Sequence, residues 1–289
     1  MEGAFSYKPV RFFGAAIRFT WAAWFAAAYV SGRPGAEAQA WLSVLELAGL
    51  FGPPAAALWM IFGSGSAELR GNFYTRLFDL RAIRLSTLAF IFILMPALIV
   101  LSVFLSWVFF GHSLEQLRPA TAVIRGTSGF VPLPVMFFGA ALAEELGWKG
   151  YGADSLRGER TFFTATWIYA GLWALWHVPL FFIDHYYHNL LWRTNPLFVL
   201  NFFASIVPAA FLINWLWYRN EGNILTAVLF HGVINCQALI GMRQTAKGIE
   251  TLLLFAAAAV VVALYRKIFF AEFPRTIGSF GRDERGVFA

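Results

Sequence analysis

The hydrophobic residues of this 289-residue chain fall into eight long runs separated by short polar segments. Each run is about 20 residues long, which is what an α-helix needs to cross the hydrocarbon core of a bilayer. The pattern predicts an all-α fold, a polytopic transmembrane helical bundle of about eight spans. The predicted spans are residues 12–30, 41–62, 85–110, 131–151, 162–183, 197–218, 224–242 and 249–270.

The composition agrees with this pattern and excludes an ordinary soluble domain. Hydrophobic residues make up 59% of the chain and charged residues only 13%, whereas soluble proteins average about 25% charged residues. A net charge of +6 would suit a nucleic-acid-binding protein if the chain were soluble. Here the basic residues lie in the short segments between apolar runs, so we expect membrane lipid around the chain and no nucleic-acid partner. We interpret residues 1–289 as a single transmembrane domain.

The Lys and Arg residues predict the orientation of this domain. Fifteen of the 22 lie in the two tails and in the second, fourth and sixth gaps between spans, six lie in the remaining gaps, and Arg18 lies within the first span. Cytoplasmic segments are enriched in Lys and Arg. We therefore predict a multi-pass integral membrane protein with both termini in the cytoplasm.

The second gap has a pattern of its own. Residues 73–84 alternate apolar and basic side chains at nearly helical spacing. An amphipathic helix lying in the membrane interface would show this pattern. A plain linker leading into the third span explains it equally well at this point.

Three of the spans have a pair of glutamates or a histidine in their interior. Glu144 and Glu145 lie in the fourth, His177 in the fifth and His231 in the seventh. Burying such a group in a membrane costs at least about 2–3 kcal/mol, so these residues usually face a cavity and have a function. We predict that the three spans enclose one polar site.

The spacing of these residues indicates how they divide the chemistry. Adjacent residues of a helix point about 100° apart, so the two glutamates cannot share one role. Glu145 and Lys149 are four residues apart and can pair, which leaves Glu144 free to act as a general base. His231 and Asn235 lie on one helical face and could both donate hydrogen bonds to an oxyanion.

Other nucleophile and metal motifs do not fit the chain well. No Ser-His-Asp arrangement is evident and no His-Glu-x-x-His motif occurs, which argues against a covalent serine mechanism and an ordinary zincin. Cys236 points about 100° from Asn235, so we expect a small buried apolar role for it. We interpret residues 184–188, which include two histidines, as a polar interfacial loop with an aromatic belt and not as an external metal site.

Three ordered motifs resemble those of the CPBP family, which comprises CAAX proteases and bacteriocin-processing enzymes and includes the Ras-converting endopeptidases. The motifs are Glu144-Glu145-x-x-x-Lys149-Gly-Tyr, Leu-Trp-His177-Val-Pro and His231-x-x-x-Asn235. The resemblance covers about residues 136–240, within a predicted catalytic core of residues 131–242. One position departs from the pattern, because the family usually has Arg where this chain has Lys149. Lysine keeps the charge but lacks the planar fork that holds a carboxylate with two hydrogen bonds.

The resemblance implies an intramembrane endopeptidase whose site opens toward the cytoplasm. Glu144 and His177 would activate a water molecule, His231 and Asn235 would stabilise the oxyanion, and Glu145 would help to position the site. The substrate would be a peptide or protein with a membrane-anchored or lipidated segment, such as a CAAX-type tail or a propeptide. No cofactor is certain, although these side chains could also bind a divalent metal ion such as zinc and make the enzyme a metalloprotease.

Two other functions and one geometric problem stay open at this point. The chain could be a non-proteolytic immunity factor or scaffold, or a small transporter that relays protons or metal ions. A transporter often has paired repeats with broken helices, and the sequence shows no such symmetry. His177 lies about 22 Å along its span from residue 162, whereas Glu144 is expected near the inner face. The spans must be tilted, extended or offset to bring the two together.

Overall fold

The computed structural model describes residues 5–120, 133–157 and 160–271, and within these ranges its regular elements are helices. The first five are α1 (Pro9–Ser31), α2 (Ala36–Leu50), α3 (Gly52–Phe62), α4 (Ala67–Phe78) and α5 (Leu85–Phe110). The next four are α6 (Leu133–Gly147), α7 (Ala153–Leu156), α8 (Phe162–Trp176) and α9 (Tyr187–Thr194). The last four are α10 (Pro196–Arg219), α11 (Ile224–Cys236), α12 (Gln244–Leu264) and α13 (Arg266–Phe269).

Helices occupy all eight segments that the apolar runs predict, which confirms the all-α polytopic bundle. Over the described ranges, α5, α10 and α12 are long and apolar enough to cross a membrane as single helices. Two bent pairs raise that number to five: α2 meets α3 at 44°, and the segment 162–182 meets α9 at 79°. The exact number of eight spans stays a prediction.

The second gap forms a helix and not a plain linker. The hydroxyl of Ser66 caps α4 by accepting a hydrogen bond from the backbone N–H of Leu69, the usual role of serine at this position. Leu69 and Phe73 are buried, whereas Glu68 and Thr75 on the same helix are exposed. The helix is therefore amphipathic, and one of its faces packs on the bundle.

The fourth predicted segment extends further than the apolar run indicates. After α6 the chain makes a π-helical turn, Trp148–Gly152, and continues directly into α7. Glu144 therefore lies about 18 Å before the end of this helical segment, and Trp173 lies about 17 Å after the start of α8, at 1.5 Å per residue. The two residues reach similar depths, and His177, at about 22 Å from residue 162, lies less than one helical turn beyond the depth of Glu144. Extension of the helix therefore explains how the fourth and fifth spans share one site.

Helix α6 packs closely against α3 and α11 because two glycines lack side chains. A Cβ atom on Gly147 would lie 2.4 Å from the backbone carbon of Pro53 in α3. A Cβ atom on Gly232 in α11 would lie 2.2 Å from the ring of Phe138 in α6. These contacts bring the helix that carries the glutamates against the helix that carries His231.

Three basic residues counted as charges of the cytoplasmic segments are core residues instead. Lys149, Arg76 and Arg157 are only 0%, 3% and 4% exposed, respectively. They neutralise buried carboxylates, since Lys149 lies near Glu145 while Arg76 and Arg157 both pair with Asp154. The asymmetry of the remaining basic residues still favours cytoplasmic termini.

Candidate active site

The imidazole of His231 lies between the two glutamates of α6. Its Nδ1 atom is 2.9 Å from Oε1 of Glu145, and its Nε2 atom is 3.9 Å from Oε1 of Glu144. All three side chains are buried, with 0–6% of each residue exposed. Each ring nitrogen therefore faces a different carboxylate, and the two glutamates flank one imidazole.

Glu145 pairs with Lys149 one helical turn later, as the spacing predicts. Nζ of Lys149 is 3.5 Å from Oε2 of Glu145, and neither side chain is exposed. The same ammonium group lies 3.9 Å from the centre of the Tyr169 ring, where a cation is attracted to the face of the ring. The carboxylate of Glu145 is thus held on one side by an ammonium group and on the other by His231.

Trp173 of α8 is a site residue that the sequence reasoning missed. Its indole N–H donates a 2.9 Å hydrogen bond to Oε2 of Glu144. Its ring also lies 5.3 Å from that of His231 and 5.9 Å from that of His177, centre to centre. Trp173 precedes His177 by four residues and so lies on the same helical face, a signal that could have identified it.

His177 follows the last residue of α8, next to a short 3₁₀ turn that contains Pro179. Its Nδ1 atom is 2.8 Å from the backbone carbonyl oxygen of Trp173. A carbonyl oxygen only accepts hydrogen bonds, so Nδ1 carries a proton and Nε2 of the neutral ring is left as an acceptor. Trp173 connects this half-buried histidine to Glu144 and His231.

Asn235 lies one turn after His231 on α11 and also faces α6. Its Nδ2 atom donates a 3.3 Å hydrogen bond to the backbone carbonyl of Phe137. This distance is long for a hydrogen bond, so exchanging it for a bond to a substrate oxygen would cost little. His231 and Asn235 therefore share one face, as their spacing predicts.

The histidine at the end of the 184–188 segment does not belong to a polar loop. His188 lies in α9, is 8% exposed, and has two buried ring nitrogens with no hydrogen-bond partner in the described structure. Its ring stacks on that of His177 with 5.8 Å between the ring centres. The bend after α8 turns this segment back onto the bundle, which is why the interpretation as a polar loop is wrong for His188.

Cys236 differs from the expectation in its degree of burial. It ends α11 as a free cysteine and is half-buried instead of buried. Glu144 has contacts with the polar side chains of Trp173 and His231, and a thiol has no part in this arrangement.

The side chains of the site do not form a complete metal-binding set. In the ranges that the structure describes, no group of three or more His, Cys, Asp or Glu side chains could hold a metal ion. Zinc sites in proteins normally provide at least three such ligands, so the residues present do not fit a zinc ion.

Comparison with known proteins identifies the family. Residues 126–237 match the model of the family described as type II CAAX prenyl endopeptidase Rce1-like. The CAAX prenyl protease 2 of Methanococcus maripaludis is 35% identical over 273 residues, which cover 94% of this chain and 99% of that protein. This similarity favours a peptidase over a scaffold or a transporter. The chain is an intramembrane endopeptidase and belongs to the Rce1-like family of CAAX prenyl endopeptidases.

Proposed function

We propose that this endopeptidase cleaves the peptide bond that follows the prenylated cysteine of a CAAX tail, using a water molecule activated by Glu144 and His177. The name of the Methanococcus relative supports this substrate class. A prenyl chain anchors its peptide to the bilayer, and the candidate site is enclosed by helices of a membrane protein. The anchored peptide would therefore meet the site without crossing much water.

The observation that carries the proposal is the position of His231 between two glutamates with different partners. Glu145 holds Nδ1 of His231, so Nε2 is directed toward Glu144. Trp173 donates to Oε2 of Glu144, which leaves Oε1 as the oxygen available for a water molecule. The separation of 3.9 Å between Oε1 and Nε2 is too long for a direct hydrogen bond and allows one water molecule to contact both atoms.

The reaction needs one proton acceptor and no covalent intermediate. Glu144 takes a proton from water while Nε2 of His177 accepts a hydrogen bond from the same molecule. The hydroxide oxygen then bonds to the carbonyl carbon of the scissile peptide. When the C–N bond breaks, the proton moves from Glu144 to the departing amine. The acid product then gives its remaining hydroxyl proton to that amine, so a carboxylate and an ammonium group leave the site.

The negative charge that forms on the carbonyl oxygen needs hydrogen-bond donors. His231 supplies an Nε2–H when it is protonated, and Asn235 supplies its Nδ2–H after leaving the carbonyl of Phe137. Removing one such donor from a hydrolase typically costs about 10²–10³ in kcat. Glu145 and Lys149 would fix the orientation of His231, because Glu145 contacts its other ring nitrogen.

A substrate series tests the proposed specificity. The purified protein in liposomes is given a farnesylated CAAX peptide, the same peptide without the prenyl group, and the unprenylated peptide anchored by an N-terminal acyl chain. We expect release of the C-terminal tripeptide from the farnesylated peptide at a rate at least about 10-fold above that from the acyl-anchored control, since ordinary pocket contacts discriminate by this much or more. Equal cleavage of the two anchored peptides would contradict recognition of the prenyl group.

We also propose that the peptidase is of the glutamate type and that no metal ion takes part in the step. The incomplete ligand set around His231 supports this proposal. Dialysis against 1,10-phenanthroline should therefore change the rate of tripeptide release by less than about twofold, whereas a catalytic zinc ion would carry the water activation itself. A loss that added zinc restores would contradict this assignment.

A further inference from the structure

Arg76 of α4 is buried against the helical turn that follows the two glutamates. Its guanidinium donates hydrogen bonds of 3.1 Å to the backbone carbonyls of Lys149 and Gly150, and one of 2.7 Å to Oδ2 of Asp154. Only 3% of Arg76 is exposed. Arginine suits this place because its planar fork directs several donors at fixed angles.

The contacted carbonyls belong to the π-helical turn Trp148–Gly152. In a π-helix the backbone hydrogen bonds join residues that are five apart, instead of four as in an α-helix. Such helices are rarely longer than one turn and occur frequently at functional sites. Such a turn needs support from outside, because its hydrogen-bond ladder is out of step with the α-helices on either side. Arg76 provides this support from a different helix, 73 residues earlier in the chain.

The turn is connected to the site through Lys149. Its backbone carbonyl binds Arg76, and its ammonium group lies 3.5 Å from Glu145. Glu145 in turn contacts Nδ1 of His231 at 2.9 Å. A shift of the π-turn would therefore move the charge that holds Glu145, and with it the orientation of His231.

We propose that Arg76 is a positioning residue for the endopeptidase, acting on His231 through the π-turn, Lys149 and Glu145. The proposal rests on the function assigned above to the same site. It also accounts for the lysine at position 149, whose single ammonium group cannot hold a carboxylate with two hydrogen bonds as a guanidinium can. The guanidinium of Arg76 fixes the backbone that carries this lysine.

A double-mutant cycle tests this role with the farnesylated peptide. Arg76→Lys keeps a positive charge near Asp154 but cannot reach both carbonyls, and we expect kcat to fall about 10-fold or more with KM within about twofold, as for residues that support a reacting group. Lys149→Met removes the group through which Arg76 acts. In that background, Arg76→Lys should lower kcat by less than about twofold further, because coupled residues are not additive.

Two control variants separate positioning from general stabilisation. Asp154→Asn weakens the ion pair of Arg76 but leaves its carbonyl contacts, so kcat should stay within about twofold even if the melting temperature falls. Asn220→Ala removes another buried residue, which bonds Thr87 and the backbone of Arg84, and should likewise lower the melting temperature without lowering kcat.

The outcomes distinguish a failure of the proposed function from a failure of the proposed role of Arg76. Loss of cleavage in Glu144→Gln with full cleavage in Arg76→Lys would leave the proposed function in place and overturn the role of Arg76. Additive losses in the double variant, or a 10-fold loss of kcat in Asp154→Asn or Asn220→Ala, would also overturn it. If Arg76→Lys does not fold, Lys149→Met alone decides the question, because full cleavage by that variant would show that the group through which Arg76 acts is not needed.

Discussion

Glu144 and Glu145 are neighbours in the chain with unlike surroundings. Glu145 contacts an ammonium group and a ring nitrogen, whereas Glu144 accepts one hydrogen bond, from Trp173, and has a second oxygen directed toward His231. A carboxylate that is fully paired is a poor base, because proton uptake would break its contacts. The less paired Glu144 is therefore the better candidate for proton transfer.

Replacing Glu144 by Gln tests this assignment. Glutamine keeps the shape and most of the hydrogen bonding but cannot take a proton, so cleavage should fall by about 10²-fold or more. Cys236→Ala serves as the control and should leave cleavage nearly unchanged, since the thiol takes no part in the proposed step. The measurement is tripeptide release at equal amounts of folded protein, and the reverse ranking of the two variants would refute the mechanism.

The indole of Trp173 should contribute through its hydrogen bond and not only through packing. Trp173→Phe keeps an aromatic ring beside His231 and His177 but removes the donor to Glu144. A hydrogen bond to a charged group contributes about 1.5–3 kcal/mol, so we expect kcat to fall by at least about 10-fold. Trp167→Phe on the same helix is the matched control, because Trp167 is 47% exposed. Equal activity of the two variants would assign Trp173 a packing role alone.

At the level of helices, the site depends on how closely α6 packs. Gly147 ends α6 and lies against the backbone of Pro53, and the π-turn begins at the next residue. This close packing fixes α6, the π-turn and α3 relative to one another. It therefore also fixes the direction in which the side chain of Lys149 points. Proline at positions 53 and 54 starts α3, where its missing N–H costs no hydrogen bond.

Gly147→Ala should therefore disturb both stability and activity. The added Cβ would lie 2.4 Å from a backbone carbon, which cannot move aside as a side chain can, so about 1–3 kcal/mol of stability should be lost. Gly171→Ala in α8 is the matched control, since nothing lies within 4 Å of its added Cβ. Thermal unfolding in detergent measures both variants, and equal melting temperatures would show that α6 and α3 can separate at no cost.

For the whole molecule, the charge distribution predicts one orientation in the membrane. The second and fourth gaps, which the count of Lys and Arg assigns to the same side, are in direct contact through Arg76 and Asp154. This contact agrees with their common assignment. Part of the charge in both gaps is nevertheless buried, so the exposed residues alone carry the orientation signal.

Labelling of single cysteines tests the predicted orientation. A membrane-impermeant thiol reagent should label cysteines placed at positions 6 and 279 in inverted vesicles and leave both unlabelled in intact cells, because cytoplasmic segments are rich in Lys and Arg. Cys236 is replaced by Ala in both proteins, so that each protein has a single thiol for the reagent to label. Labelling from opposite sides would require an odd number of spans.

The sequence by itself determined the helical class, the membrane location and two local pairs of site residues. Glu145 with Lys149, and His231 with Asn235, could be predicted because the pitch of a helix places residues four apart on one face. The apolar run did not reveal that the helix of Glu144 continues to Leu156, since the residues after Gly147 include charged and polar ones that only burial makes part of the core.

The tertiary structure decided which side chains from different helices meet. Trp173 contacts Glu144 across 29 residues, His231 contacts Glu145 across 86, and Arg76 contacts Asp154 across 78. In the sequence Arg76 is one of 22 Lys and Arg residues and has no local feature that separates it from the others. Trp173 is one of 12 tryptophans, and its spacing from His177 indicates a shared face but not the contact with Glu144. Such contacts depend on how whole helices cross and bend, and helix crossing follows from the packing of many side chains at once, not from the spacing of a few residues along one helix.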